Sequence, residues 1–163
     1  MPRFKQELRN MVRRSAGQSF WRKITVTSSS ILTTATNISA AATGDLAITQ
    51  VVVKTDSTGL AGGTNFVLAS TNAKGVANIL VETVANLGAN TQKVLAPGTA
   101  DTDTTTSDAT PSVTSLIGIL SAGKKLTVTS TSAVCTGVGT IDIYIRFERV
   151  DENADINMVG NTI

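Results

Sequence analysis

The chain contains no histidine and a single cysteine in 163 residues. Without histidine the usual zinc sites cannot form, and a serine nucleophile would lack its customary base. Cys135 alone cannot close an internal disulfide, so the fold needs no oxidising compartment and Cys135 is expected to be a small core residue. Aromatic residues make up only 4% of the chain and charged residues 16%, against 41% hydrophobic residues. That combination argues against disorder, which needs high charge and few apolar groups. No apolar run approaches the roughly 18 residues of a membrane span. Arg13 and Arg14 form a twin-arginine pair near a positive N-terminus, but the stretch ITVTSSSILTTATN that follows is broken by polar residues, so neither export signal is expected.

What the chain does have is threonine, with 26 copies. A branched Cβ suits a half-buried pleated surface, and the hydroxyl keeps the outer face wetted. The length is that of about one domain. Charge is divided sharply along it. The first 23 residues carry seven Lys and Arg against one acid, and the remaining 140 carry seven against eleven. Such a split marks a terminal segment that meets something the body does not: nucleic acid, a membrane surface or an acidic protein.

That segment, residues 1–22, reads as a basic amphipathic arm. Phe4, Leu8, Met11 and Val12 fall at i, i+4, i+7 and i+8 and form one apolar stripe, while Arg3, Lys5, Arg9, Arg13 and Arg14 lie largely off it. Pro2 is tolerated at a helix start, and Gly17 is a plausible stop. A helix of about 12 residues is marginal alone in water, so it would be ordered by docking on its own body, on a partner surface or on nucleic acid. Phe20 and Trp21 follow at once and are expected to plug the junction of arm and body.

Residues 23–163 read as the body. Polar and apolar residues alternate from Lys23 onward, giving strands at 23–27, 45–54, 64–70, 76–84, 92–96, 112–120, 125–131 and 140–150, about eight in all. DSTGLAGG, NAKG, LGAN, SAGK and TGVG separate them and supply turn residues. The expected class is mainly β: an antiparallel β-sandwich or jelly roll with a short N-terminal amphipathic helix. The last strand is the clearest, with Ile141, Ile143, Ile145 and Phe147 on one face and Asp142, Tyr144, Arg146 and Glu148 on the other.

Residues 97–111, PGTADTDTTTSDATP, stand apart. They hold no hydrophobic residue larger than alanine and carry Asp101, Asp103 and Asp108, so an exposed loop of about 15 residues is expected. The D-x-D spacing invites a calcium site, but the glycine at loop position 6 and the closing glutamate are missing, and no metal is assigned. Gly59, Gly62 and Gly63 lack the Lys-Ser/Thr of a phosphate-binding loop and read as a tight bend. Gly137 and Gly139 lack the third glycine of a dinucleotide fingerprint. With only four glutamates, paired carboxylates for glycoside hydrolysis are a poor fit. Asn37-Ile38-Ser39 matches a glycosylation sequon that matters only in a secreted protein. No catalytic residue and no cofactor are assigned.

The run VVVKTDSTGLAGGTNFVLAS, with SAGKKLTVTSTSAVCTGVGTIDIYIRFERVDENADI later, resembles small β-sandwich virion proteins of tailed bacteriophages, of the capsid-decoration or head-fibre kind, over roughly residues 45–156. The resemblance implies a non-enzymatic, commonly trimeric protein of the virion, assembled in the host cytoplasm and bound to capsid protein through a terminal segment. Two other readings stay open. A small jelly-roll coat protein would use the basic arm to neutralise packaged phosphates. A sugar-binding β-sandwich module would need stacking aromatics, of which Trp21, Tyr144 and four phenylalanines are the whole supply. The mixture of stripe and charge in the arm favours attachment to a protein over nucleic-acid packing.

Overall fold

The computed structural model describes residues 18–72, 75–95 and 117–159; residues 1–17 and 97–111, which hold the arm stripe and the acidic segment, lie outside the described residues. Eleven strands form among the described residues, and all pair antiparallel. Sheet A holds β1 (Ser19–Thr27), β11 (Thr140–Arg149) and β3 (Leu46–Thr55) in that order, with β7 (Gln92–Leu95) and β8 (Gly118–Leu120) on the far edge of β3. Sheet B runs β2 (Thr36–Asn37), β9 (Leu126–Ser130), β5 (Asn65–Asn72), β6 (Gly75–Thr83). A short ribbon of β4 (Ala61–Gly62) and β10 (Cys135–Thr136) stands beside them.

The pairings nest. β1 pairs with β11, β2 with β9, β3 with β7 and β8, and β5 with β6, as in one long hairpin folded over on itself. Contacts of β11 with β3 and of β9 with β5 then close each sheet. β7 lies against Val51 to Lys54 and β8 against Leu46 to Ile48, so the two are halves of one strand line along a single edge. The chain leaves that line after Leu95 and is back on it where Ile117 N donates to Ile48 O at 2.6 Å.

Alternation explains which residues face inward. Ile141, Ile143, Ile145 and Phe147 of β11 are fully buried, while the residues between them face out. In β3 the inward set is Leu46 and Ile48, then Val51 and Val53, a change of phase that a strict period of two cannot make. A bulge at Thr49, where the register against Arg146 and Phe147 shifts, restores the match and keeps both apolar pairs in the core. The inner faces meet in one cluster that joins Phe147, Ile143 and Leu46 of sheet A to Phe66, Leu68 and Leu126 of sheet B. Each large side chain so buried contributes about 1.5–3 kcal/mol.

The strand boundaries expected from sequence agree with these elements to within a residue or two, with specific exceptions. β1 begins at Ser19, so residues 19–22, assigned above to the arm, belong to the sheet: Phe20, Arg22, Ile24 and Val26 alternate inward along a continuous register with β11. The two-residue strands β2, β4 and β10 were not expected. Of the strand expected at 112–120, residues 112–116 lie outside the described residues. No α-helix occurs among the described residues, and the helix expected in the arm lies outside them.

Candidate functional site

Of the residues singled out in the arm and its junction, only Phe20 and Trp21 are described; Arg3, Phe4, Lys5, Leu8, Arg9, Met11, Val12, Arg13 and Arg14 lie outside, as do Asp101, Asp103 and Asp108. The alternation of β1 sends the two aromatics to opposite faces. Phe20 turns inward and stacks on Phe147 with ring centroids 5.6 Å apart. The guanidinium of Arg22 lies 4.7 Å from the centre of its ring and that of Arg149 lies 4.9 Å away. Both arginines also hold the C-terminal tail. Arg22 Nε donates to Ile156 O and Nη2 to Asp155 Oδ1, at 2.8 and 2.7 Å, and Arg149 Nε donates to Ala154 O at 2.8 Å. Phe20 thus packs, partly buried, against the body's own core.

Trp21 points the other way and is 46% exposed. It stands on the outer face of sheet A next to Tyr144, the chain's sole tyrosine, because β1 and β11 are paired with Trp21 opposite Arg146 and Lys23 opposite Tyr144. One cross-strand row reads Lys23, Tyr144, Val52, Val94, and the next Thr25, Asp142, Lys54, Gln92. Trp21, Val52, Lys54, Gln92 and Tyr144 line a shallow groove of about 360 Å³. Nothing in the local sequence announces this group, whose members come from four strands up to 123 residues apart. The available signal was alternation itself, which places Trp21 out of phase with Ile24 and Val26, and Tyr144 out of phase with Ile143 and Ile145.

Electrostatics on this face centre on Asp142. Lys23 Nζ lies 2.8 Å from Asp142 Oδ2 and 5.3 Å from the centre of the Tyr144 ring. Thr25 Oγ1 donates to Asp142 Oδ1, and Tyr144 OH to Oδ2 at 3.4 Å. Desolvation raises the Asp142 carboxyl, but the hydrogen bonds from Lys23, Thr25 and Tyr144 outweigh it and hold the group below its ordinary value. The hydrogen bond to Asp142 correspondingly raises the Lys23 ammonium.

At the opposite end of sheet A, where β1 stops and β11 starts, one carboxylate gathers backbone amides. Asp56 Oδ1 accepts from the amides of Gly59 and Thr58 at 2.8 and 2.9 Å, and Oδ2 accepts from the amide and hydroxyl of Thr140 at 3.0 and 3.1 Å. These bonds, Gly59's foremost, hold its carboxyl below the usual range. Gly59 has φ +75°, and a Cβ on Gly139 would overlap its carbonyl oxygen. The tight bend expected at Gly59, Gly62 and Gly63 is present, with positive φ at all three. Cys135 is buried as expected, and burial pushes its thiol up. Among the described residues no cluster of three or more cysteines and carboxylates could hold a metal ion.

No family model matches the chain. No curated protein matches it either. Solved structures do. The fold is similar to that of a chain in the capsid of Ralstonia phage GP4, at 12% identity and a TM-score of 0.50, over 82% of this chain and 86% of that one. A chain of the cyanophage Pam1 capsid aligns over the same shares at 13% identity with a TM-score of 0.39.

Proposed function

We propose that the chain is a non-enzymatic structural protein of a phage virion, a capsid decoration or head-fibre subunit attached through its N-terminal arm. The observation that carries this reading is the likeness in fold, over most of both chains, to a chain of the Ralstonia phage GP4 capsid. The nested strand pairing supports it, since a long hairpin rolled into two facing sheets is the winding of a jelly roll, an architecture common in viral capsid domains. In this reading the body begins at β1, and residues 1–17 are the attachment segment. Phe4, Leu8, Met11 and Val12 dock as a helix face in a groove of the capsid protein, and Arg3, Lys5, Arg9, Arg13 and Arg14 pair with acidic groups around it. Docking would supply the order that so short a helix lacks alone. Self-association, as a trimer by the resemblance, would multiply a modest single-arm affinity.

The test is cosedimentation of the purified full-length chain with particles that lack it, beside a variant without residues 1–17. The full chain should pellet with particles and the shortened one should stay in the supernatant, with unchanged circular dichroism. Equal pelleting of both would overturn attachment by the arm. Binding of the full chain to naked nucleic acid that falls steeply with salt, without binding to particles, would overturn the decoration reading.

A further inference from the structure

We propose that the groove on the outer face of sheet A is a carbohydrate-binding site selective for an acidic sugar, a uronate unit of a polysaccharide. This does not depend on the virion reading. The single tryptophan and single tyrosine of the chain are diagonal neighbours on the outer face of sheet A, and Val52 of β3 lines the same groove. A pyranose ring has an apolar C–H face that stacks on such rings and a rim of hydroxyls that needs hydrogen-bonding groups beside them. Lys54 and Gln92, cross-strand neighbours in the same groove, stand where that rim would fall. Among the described residues neither side chain has a hydrogen bond or an ion pair.

The charge arrangement specifies an acid. Lys54 is exposed, and the carboxylate directly across the strand pair is Asp142. That carboxylate is already occupied by Lys23 at 2.8 Å, by Thr25 and by Tyr144. The Lys23–Asp142 pair therefore neutralises itself, with Tyr144 OH on the same carboxylate, while Lys54 has no ion-pair partner among the described residues. A sugar carboxylate is the missing partner, and an ammonium–carboxylate hydrogen bond is about twice as strong as a neutral one.

Trp21 supplies its own readout as the chain's sole indole. Titrating the full-length chain with polygalacturonate should give a saturable change in tryptophan fluorescence, and the matched neutral galactan should bind at least about tenfold more weakly. Lys54→Gln should erase that preference by lowering the affinity for polygalacturonate to that for galactan. Affinity electrophoresis in polygalacturonate gels should show retardation of the native chain that Trp21→Ala and Tyr144→Ala both abolish. No saturable change with polygalacturonate, alginate or hyaluronan would overturn the proposal. So would equal affinity for the acidic and neutral polymers, an unaltered preference in Lys54→Gln, or a loss of self-association in Trp21→Ala with no effect on polysaccharide binding.

Discussion

The two ends of sheet A are held by different means. At the end where β1 starts, contact is made by long side chains: Phe20 on Phe147, two arginines over Phe20, and those arginines on the Ala154 and Ile156 carbonyls and the Asp155 carboxylate. At the end where β1 stops, the backbone itself is packed and bonded: Gly59 lies against Gly139, Ser28 N donates to Gly139 O at 2.7 Å, and the Asp56 carboxylate accepts from three amides and the Thr140 hydroxyl. Long side chains can re-form around a change, whereas a close backbone approach has nowhere to move. The end from which the arm departs is therefore the adaptable one, and the far end is the fixed frame.

Substitutions can break or sharpen this contrast. Gly139→Ala should have the largest effect, a loss of about 3 kcal/mol or more in chemical denaturation, because its Cβ would meet the Gly59 carbonyl and not a movable side chain. A loss below about 1 kcal/mol would show that the frame yields. Phe20→Ala should cost about 2 kcal/mol, since the ring is only partly buried but stacks on Phe147.

Asp56→Asn should lower the unfolding midpoint at neutral pH through the mismatch of an amide N–H₂ with the Thr140 donors. Because folding depresses the Asp56 pKa, its contribution is present above the unfolded value and is lost as pH falls through the folded one. The gap between wild type and Asn variant should therefore close as the solution is acidified below about pH 4. A gap that persists there would mean that the Asp56 charge is not what these bonds depend on.

Arg22→Gln should change stability least, by about 0–1 kcal/mol, as expected for a partly exposed ion pair whose neighbours can rearrange. A cost as large as that of Gly139→Ala would erase the distinction between the ends.

Much of this molecule was legible because alternation and turn chemistry agree with the final packing. The strand in DLAITQVVVK is legible but its bulge is not, because Ala47 and Val52 are apolar too and blur the change of phase at Thr49. The Asp56 and glycine phrases read as a bend and are one. Other features were hidden for physical reasons. β2 lies in SSSILTTATN, where a two-residue strand has too little pattern to announce itself and depends on β9 for its bonds. The start of β1 was masked by Arg22, a charge at an inward position that is tolerated only because its guanidinium lies over Phe20 and bonds the tail. That β7 and β8 form one line depends on their common partner β3, far away in sequence. The Trp21 and Tyr144 face depends in the same way on a register between the first and last strands.

Under the proposed function, the contrast between ends also predicts how the molecule would stand on a shell. The chain enters the sheet at Gln18, whose carbonyl accepts from Arg149 N at 3.2 Å at the adaptable end. The most direct test of the account is a cryo-electron microscopy map of the intact particle that carries this protein. The account predicts the sandwich on the outer surface, with Gln18 and the 154–156 tail toward the shell and the outer face of sheet A open to solvent. A sandwich forming the continuous shell itself, or standing with the Gly59 and Gly139 end against it, would contradict it.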